Sequence, residues 1–455
     1  MARTKVTVQI QKTGNFRQDL VVLLNETYVK KMKIPARELI SLRFGAYRTE
    51  AKVLPVKSIK GIKISEKVAE RLSIKHGASL GLNFKPDTQT LSFGPLVGIM
   101  MSRVYSSNAE RPFGNMTAFC REISESCREH GAFAYFFTPN DIGDSADSLK
   151  GWRLENGSWR HSSFPAPDVV YNRLTSRKLE NKPRVQHFLK EVKSRYNANV
   201  FNEKYLDKTE VFEALAHDSA LKSFLPESHA LKNFQILKSM CKKHRVVFLK
   251  PNTGSLGKGI IRITRTPEGY DCHATTLNGM VKHRFSRLIK LFQAISGKIK
   301  RNRYQIQQGL NLITVDGRPV DFRALVQKNG NGEWVITSIV GRIASTNHYV
   351  SNLARGGMLS PVGRALAKSN LGSGQYAKYL SRLRRAALLL ARGVEQHVAG
   401  HYGELGIDLA IDTSGKIWLL EINSKPSKDD NATTTNKVRP SVRLLVQYAC
   451  YLAKH

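Results

Sequence analysis

The chain has 455 residues, of which 41% are hydrophobic, and its 72 lysines and arginines exceed its 36 aspartates and glutamates by a formal charge of +36. This length is too great for one hydrophobic core, so we expect several domains, and the apolar content excludes a disordered chain. The charge favours an anionic partner. By itself it leaves open nucleic acid, an acidic polymer, an anionic coat or membrane surface, or simply a solubilising surface.

The cysteines and the apolar runs restrict the class of protein further. The five cysteines are odd in number and include no CxxC pair, so we expect reduced structural thiols rather than a disulfide framework or a zinc site. The first residues alternate polar and apolar side chains, unlike a signal peptide. The longest apolar run, 386–391, is far shorter than the roughly 20 residues that span a bilayer. We therefore expect a cytoplasmic protein without a membrane span.

The first 95 residues are strand-rich and show an internal repeat. Residues 28–44 align with residues 68–84 at an offset of forty, with apolar side chains at matching positions. Asn25 and Ser65 also align, and each can cap the short helix that follows. Because neither half can bury its apolar face alone, the repeat predicts a small pseudo-symmetric β-barrel similar to a double-psi barrel. Chance similarity is the alternative.

The next two segments differ in pattern. Between 96 and 200, predicted strands alternate with a helix at 116–130, which is typical of a parallel sheet in an α/β domain. From residue 201 the pattern is mixed, with an apolar stripe at helical spacing over 285–295 and a long helix at 375–397. We therefore predict three domains, which are a binding barrel at 1–95, an α/β domain at 96–200 and the domain that carries the chemistry at 201–455.

A glycine-rich loop is the strongest local signal. Predicted strands at 246–250 and 260–264 flank a loop with three glycines. Glycines let backbone N–H groups approach phosphates, and Lys250 and Lys258 can neutralise phosphate charge. The spacing matches neither the Walker A motif nor the dinucleotide fingerprint, so a hairpin without a ligand is the alternative.

Two apolar strands near the C-terminus carry oxygen ligands. Residues 406–411 and 417–422 are joined by a tight turn, which brings their facing side chains together. Asp408, Glu421 and Asn423 would then converge as hard oxygen ligands, the kind that magnesium prefers when it also holds substrate phosphates. A polar row that faces solvent is the alternative.

Arg323 and Arg342 lie in two further predicted strands that are otherwise apolar. A buried arginine is costly unless it faces a ligand or a carboxylate. Both arginines could therefore clamp a transferring phosphoryl group. A structural salt bridge between Asp321 and Arg323 is the alternative.

The order of these motifs resembles the ATP-grasp superfamily. It runs from the lysine and glycine loop through the DxR strand, an Asn-x-x-x-Gly-Gly loop at 352–357, GxDxA and finally ExN. The segment 351–357 is similar to ribosomal-protein glutamate ligases. The segments 94–99, 168–173 and 249–251 resemble the YheC/YheD endospore-coat-associated family. The resemblance covers about residues 95–455.

The resemblance implies a fold and an activity. The expected fold class is α/β (α+β). The chain is expected to begin with the small barrel, continue with a pre-ATP-grasp α/β domain and end with an ATP-grasp fold. The expected activity is a ligase that uses ATP and Mg²⁺, with Mn²⁺ as an alternative metal, to join an unidentified carboxylate to an unidentified amine through an acyl phosphate. An ATP-grasp phosphotransferase and a non-catalytic spore-coat or anion-binding protein are the alternatives.

The resemblance also implies roles for single residues. Phosphate contacts are expected from Lys208, Lys250, Gly254, Ser255, Gly257, Lys258 and Gly259. Adenine is expected to bind at the strand of Gln307 and Gln308, where many relatives have a glutamate or a lysine instead. Transition-state or acceptor contacts are expected from Arg323, Arg342, Asn352 and Arg355. The metal ligands are expected to be Asp408, Glu421 and Asn423.

The basic residues are unevenly distributed. Residues 1–100 carry 18 basic and 7 acidic residues, a net of +11, whereas residues 101–200 carry 15 and 11, a net of +4. We therefore expect the barrel to recruit an anionic partner, namely an acidic peptide, a coat polymer or nucleic acid. Such a partner fits a cytoplasmic protein that associates with spores.

Overall fold

The structure is a computed structural model that describes residues 4–11, 20–252, 259–276, 279–345, 356–371, 373–428 and 437–453. Residues 253–258 of the glycine loop and residues 352–355 of the Asn-x-x-x-Gly-Gly loop therefore lie outside the described residues. The predictions for Gly254, Ser255, Gly257, Lys258, Asn352 and Arg355 fall there.

The N-terminal strands close into a barrel in the order β1-β5-β2-β4-β3-β7-β6, with β1 pairing β6 to complete the ring. The strands are β1 (Thr4–Gln11), β2 (Val21–Asn25), β3 (Leu39–Phe44), β4 (Tyr47–Val56), β5 (Ile62–Ser65), β6 (Ser79–Lys85) and β7 (Thr90–Phe93). Alternate side chains such as Ile40, Leu42 and Phe44 point inward and are buried, which is the period-2 pattern of a strand with one face in the core.

The offset of forty recurs in the barrel's two helices, α1 (Glu26–Met32) and α2 (Glu66–Leu72). The Asn25 side chain accepts from a backbone N–H of α1, and the Ser65 side chain does the same for α2. Both helices end in a left-handed residue, with φ of 56° at Lys33 and 54° at Ser73. The two halves therefore start and stop their helices by the same local chemistry.

The next sheet has the strand order β11-β10-β9-β8-β12-β13. Its strands are β8 (Leu96–Met100), β9 (Phe133–Phe137), β10 (Ser148–Glu155), β11 (Ser158–Pro165), β12 (Val169–Asn172) and β13 (Asn199–Phe201), with α3 (Thr117–Glu129), α4 (Arg177–Glu180) and α5 (Pro183–Ser194). Strands β9, β8, β12 and β13 are parallel, and β10 and β11 form an antiparallel hairpin at the edge. Asp168 connects this sheet to the barrel, because it accepts from the Arg43 guanidinium and from the backbone N–H of Leu96.

The third sheet has the strand order β14-β19-β15-β16-β17-β18. Its strands are β14 (Ser228–Ala230), β15 (Val246–Pro251), β16 (Ile261–Thr266), β17 (Gly269–Thr276), β18 (Gly279–Phe285) and β19 (Tyr304–Gln308), with α8 (Phe234–Lys243) and α9 (Leu288–Arg301). The predicted helical stripe begins three residues too early. Phe285 is the last residue of β18, and α9 begins at Leu288. Its apolar side chain packs against the same core as the helix, which explains the misleading periodicity.

The fourth sheet has the strand order β23-β22-β21-β24-β25, and β20 pairs with β21. Its strands are β20 (Thr314–Val315), β21 (Arg318–Lys328), β22 (Trp334–Ile343), β23 (Met358–Pro361), β24 (Glu404–Ile411) and β25 (Ile417–Asn423). Packed with it are α6 (Lys208–Ala216), α7 (Ser219–Lys222), α10 (Val362–Ala367) and α11 (Tyr376–His397). The segment 207–221, which is helical in composition, is divided between two helices, α6 and α7.

The last helix, α12 (Pro440–Leu452), returns to the second sheet and packs against α3. Its buried residues share one apolar cluster with β8 and β9, and the Gln327 side chain of β21 donates to the carbonyl of Ser441, so this helix joins the α/β sheet to the last sheet. In the described part of the chain, no helix combines the length and hydropathy that a membrane crossing requires.

Candidate functional site

A cleft of about 1470 Å³ lies where the second, third and fourth sheets meet. Its described lining includes eleven basic and three acidic side chains. The basic ones are Arg103, Arg173, Arg177, Lys178, Lys208, Lys250, Arg262, Arg323, Arg342, Lys425 and Lys428, and the acidic ones are Asp321, Asp408 and Glu421. A concave site with this excess of cations attracts anions and concentrates them.

Strand register brings the charged residues of the fourth sheet into one row. Asp321 lies opposite Arg342, Arg323 lies opposite Asp408, and Asp408 lies opposite Glu421. Facing residues of antiparallel strands have neighbouring side chains, so residues far apart in sequence meet on one face. A register irregularity between Asp408 and Leu409 falls at this row, and such irregularities often re-aim a side chain at a functional site.

The Asp408 carboxylate holds both arginines. One of its oxygens accepts from Arg323 Nη2 at 2.9 Å and from Arg342 Nη2 at 3.1 Å, and its other oxygen accepts from Arg323 Nε. Arg342 Nε donates to Asp321 at 2.6 Å. Asp321 and Arg323, whose mutual ion pair was the alternative interpretation, therefore each pair with a residue of a neighbouring strand.

These contacts set the charge states of the row. Burial alone would raise the pKa of Asp408, but Arg323 and Arg342 outweigh it and lower that pKa. Burial likewise disfavours the Arg342 cation, but Asp408 and Asp321 raise its pKa overall. Both arginines are therefore held as oriented cations at the wall of the cleft, where a developing negative charge would be stabilised.

Lys250 and Lys208 form the other cationic part of this region. Lys250 Nζ donates to Gln307 Oε1 at 2.5 Å, and Lys208 Nζ lies 3.5 Å from Glu421 Oε2. Removal from water, reinforced by the Lys208 charge, lowers the pKa of Lys250 from its usual 10.5 to about 8, although Glu421, Asp408 and Asp321 oppose this shift. A bound phosphate would give the Lys250 ammonium a negatively charged partner in addition to the neutral Gln307 side chain.

The donor set fits magnesium in its chemistry. Asp408 and Glu421 are register partners, and Asn423 lies two residues along β25, on the same face as Glu421. The Glu421 side chain is 29% exposed and lines the cleft, whereas both Asp408 oxygens already accept from arginines. Among the described residues no group of three His, Cys, Asp or Glu side chains could hold a metal. A metal here would therefore need Asn423 and oxygens from water or substrate, which is common for Mg²⁺.

Of the remaining residues predicted to contact the nucleotide, some line the cleft and one does not. Gln307 and Gln308 line the cleft, but their side chains have protein partners, since Gln307 also donates to Ser228 and Gln308 accepts from the backbone N–H of Glu227. Gly259 has a φ of 72°, and its carbonyl accepts from Tyr304. Gly259 is not among the residues that line the cleft.

A second group of cations in the cleft has no role in the sequence prediction. Arg177 and Lys425 lie over the Tyr205 ring, and Arg173 donates to the carbonyl of Pro426, next to Lys425, at the side of the cleft formed by the second sheet. Arg173 follows the buried strand β12, and Lys425 follows the ExN motif. A charged residue directly after a buried strand is the signal that could have pointed to them.

Comparison with known proteins assigns the family. A model of the family described as YheC/D like ATP-grasp matches residues 197–452. The chain is 29% identical to the endospore coat-associated protein YheD of Bacillus subtilis (strain 168) over 340 residues, which is 74% of each chain. It is 23% identical to YheC of the same organism over 328 residues, covering 68% of this chain and 85% of YheC.

Solved structures with related architecture are more distant. D-alanyl-alanine synthetase A from Vibrio cholerae has a TM-score of 0.45 and 12% identity, covering 80% of this chain and 99% of its own. The VanG D-Ala:D-Ser ligase from Enterococcus faecalis has a TM-score of 0.45 and 11% identity, covering 79% and 99%. The family match extends over more than half of the chain and includes the glycine loop, the arginine strands and the acidic strands. The chain therefore belongs to the YheC/D-like ATP-grasp family.

Proposed function

We propose that the chain is an ATP- and Mg²⁺-dependent ligase that joins a carboxylate to an amine through an acyl phosphate. The observation that carries the proposal is the charged row in the cleft. It combines two oriented arginines, two lysines and a set of oxygen donors within one anion-attracting cavity. Family membership supports the use of ATP.

The lysines bind the nucleotide phosphates. Lys250 is partly buried and oriented by Gln307, and Lys208 approaches from the start of α6. Lysine acts as a compact point charge on phosphate oxygens, and partial dehydration strengthens the attraction. We propose that Gly259 and the rest of the glycine loop, Gly254, Ser255, Gly257 and Lys258, close over the phosphates when ATP binds, and that the strand of Gln307 and Gln308 borders the adenine.

Glu421, Asn423 and Asp408 would hold magnesium, with Mn²⁺ as a substitute. When bound, the metal would neutralise charge on the phosphate oxygens. Glu421 is the readier ligand of the two carboxylates, because the ion pair it makes among the described residues is a long one, 3.5 Å to Lys208, whereas Asp408 is shared between two arginines.

Arg323 and Arg342 stabilise the phosphoryl group in transfer. An oxygen of the substrate carboxylate attacks the γ-phosphorus, the bond to the β-phosphate oxygen breaks, and ADP leaves. The amine then attacks the acyl carbon, phosphate leaves, and the amine nitrogen loses a proton. The chain contributes position and charge, since the arginines are already oriented by Asp408 and Asp321 before reaction. Asn352 and Arg355 are proposed to contact the acyl phosphate or the amine.

The barrel is proposed to recruit an anionic partner, which fits the coat association in the names of the relatives. Its net charge of +11 over residues 1–100 is large compared with +4 over the following hundred residues. An acidic peptide, a coat polymer and nucleic acid share the chemistry that such a surface attracts. Spore association of a cytoplasmic enzyme follows from this proposal.

The decisive experiment measures products. Purified protein is incubated with Mg²⁺, ATP and matched libraries of carboxylic acids and amines, and ADP release is recorded before the products are identified by mass spectrometry. The proposal expects acid-dependent ADP release and an amide whose formation requires the amine. A stable phosphorylated acceptor would identify a phosphotransferase instead. Absence of Mg²⁺-dependent ATP binding would refute the proposal altogether.

A further inference from the structure

The second cationic group of the cleft is centred on Arg173, whose side chain is almost fully buried. The residue is 3% exposed and lines the cleft. Its Nη2 donates to the carbonyl of Pro426 at 2.5 Å, but Nε and Nη1 are buried without a hydrogen-bond partner among the described residues. An arginine always keeps its charge, so buried donors without acceptors are costly unless a ligand accepts from them.

Two more cations reinforce this position. Arg177 Cζ lies 4.9 Å and Lys425 Nζ lies 4.8 Å from the centroid of the Tyr205 ring. The Lys425 side chain is only 1% exposed and pairs with Glu180, whose carboxylate also accepts from Asn172 and from the backbone N–H of Tyr205. The group therefore contains three basic side chains and one carboxylate, that of Glu180.

The neighbouring charges influence one another. Lys425 directly precedes Pro426, whose carbonyl accepts from Arg173, and Arg177 and Lys425 both lie over the Tyr205 ring, so the three cations are close together. The crowding of like charges in a dry environment is unfavourable in the absence of an anion. A carboxylate beside Arg173 would therefore relieve repulsion as well as fill empty donors.

This group lies next to the phosphate region but does not coincide with it. Lys425 follows Asn423 by two residues, and Tyr205 precedes Lys208 by three. Three residues span at most about 11 Å, so one small molecule can reach from one region to the other. Both regions open into the same cleft.

We propose that Arg173, Arg177 and Lys425 form a second anion site, which binds a carboxylate of the substrate other than the one that is activated. The substrate class is then a small molecule with two carboxylates, such as an acidic amino acid or a dicarboxylate. The site selects such acids because a neutral amide in place of the second carboxylate leaves the Arg173 donors without a charged acceptor. This inference rests on the proposed ligase function.

The test uses the full chain and isothermal titration calorimetry. Mg·ADP is titrated first, and then L-glutamate, L-aspartate and glutarate are titrated in its presence, each beside its monoamide, L-glutamine, L-asparagine and glutaramate. We expect at least one dicarboxylate to bind about ten- to a hundredfold more tightly than its monoamide, the range of a hydrogen bond to a charged group. Arg173→Gln and Arg177→Gln are expected to lose this preference and to keep Mg·ADP affinity.

Arg103→Gln is the matched control, because Arg103 lines the same cleft but is exposed. It removes the same charge without touching the buried group, so the preference for the dicarboxylate should survive. Equal loss in Arg103→Gln and Arg173→Gln would reduce the effect to general electrostatics and overturn the site. If Arg173→Gln does not fold, Arg177→Gln alone tests the site, because the Arg177 side chain is only partly buried.

The outcomes separate the two proposals. Failure of the unaltered chain to bind Mg·ADP would refute the proposed ligase function. Normal Mg·ADP binding with no preference for any dicarboxylate would refute the second anion site alone. Binding of inorganic phosphate that is lost in Arg173→Gln, without dicarboxylate binding, would overturn the carboxylate assignment in favour of a phosphorylated substrate.

Discussion

Asp408→Asn removes one negative charge from the centre of the charged row and keeps the shape of the side chain. The asparagine amide keeps one oxygen, so Arg323 can retain only one of its two hydrogen bonds to this side chain and loses the opposite charge, whereas Arg342 keeps Asp321 at 2.6 Å. Breaking a buried ion pair by removing one partner costs about 3–5 kcal/mol. Because the Arg323 side chain is 25% exposed and Arg342 stays paired, we expect a smaller loss of unfolding free energy, about 2–3 kcal/mol.

Urea denaturation at neutral pH measures this loss, and Glu421→Gln is the matched control. Glu421 lies opposite Asp408 in the same row, but its side chain is 29% exposed and its contact to Lys208 is 3.5 Å. Its replacement should change the unfolding free energy by less than about 1 kcal/mol. Both variants should lose Mg²⁺-dependent ATP turnover. Equal stability of the two variants would refute the claim that Asp408 orients the arginines, and unchanged turnover in both would refute the metal assignment.

The remaining predictions concern Lys250 and the barrel. Lys250→Ala should weaken ATP binding about tenfold or more in calorimetry, while Lys238→Ala, an exposed lysine of α8, should not; equal affinities would exclude Lys250 from the phosphate site. Because the pKa of Lys250 is about 8 without a ligand and phosphate favours its cation, ATP binding near pH 8.5, about half a unit above that pKa, should take up protons. Calorimetry in buffers of different ionisation enthalpy measures this uptake, which Lys250→Ala should abolish. The full chain should bind polyglutamate or single-stranded nucleic acid at low salt and release it at high salt, and replacing Lys30, Lys31 and Lys33 with glutamine should weaken that binding. Lack of binding to either polymer at low salt would contradict recruitment by the barrel.

Local sequence patterns were enough for most individual elements. The helix predicted over 375–397 is α11 (Tyr376–His397), and the caps at Asn25 and Ser65 occur as their side chains suggested. The segment 141–163, whose glycine, serine and aspartate content is typical of a surface loop or a β-hairpin, contains most of the β10–β11 hairpin. Caps, periodicity and turns depend on residues within a few positions of one another, so a single sequence contains them.

The candidate site was only partly determined by sequence. The charged residues within apolar strands, such as Arg323, Asp408 and Glu421, signalled a polar face, because such residues are costly in a strand without a partner. Their partners were not visible, since the sequence suggested an ion pair only between the neighbours Asp321 and Arg323, as the alternative to a phosphoryl clamp. In the structure, Asp321 pairs with Arg342. Arg323 pairs with Asp408, which lies 85 positions further along the chain.

The tertiary structure alone identified the second group of cations. Arg173 reaches the carbonyl of Pro426 across 253 positions, and its empty donors become visible only when the surrounding atoms are placed. The sequence by itself determined the elements, the family resemblance and the excess of positive charge. Which charges meet, and which donors remain without an acceptor, was decided by strand register and sheet packing, because these depend on contacts between residues far apart in the chain that no local pattern encodes.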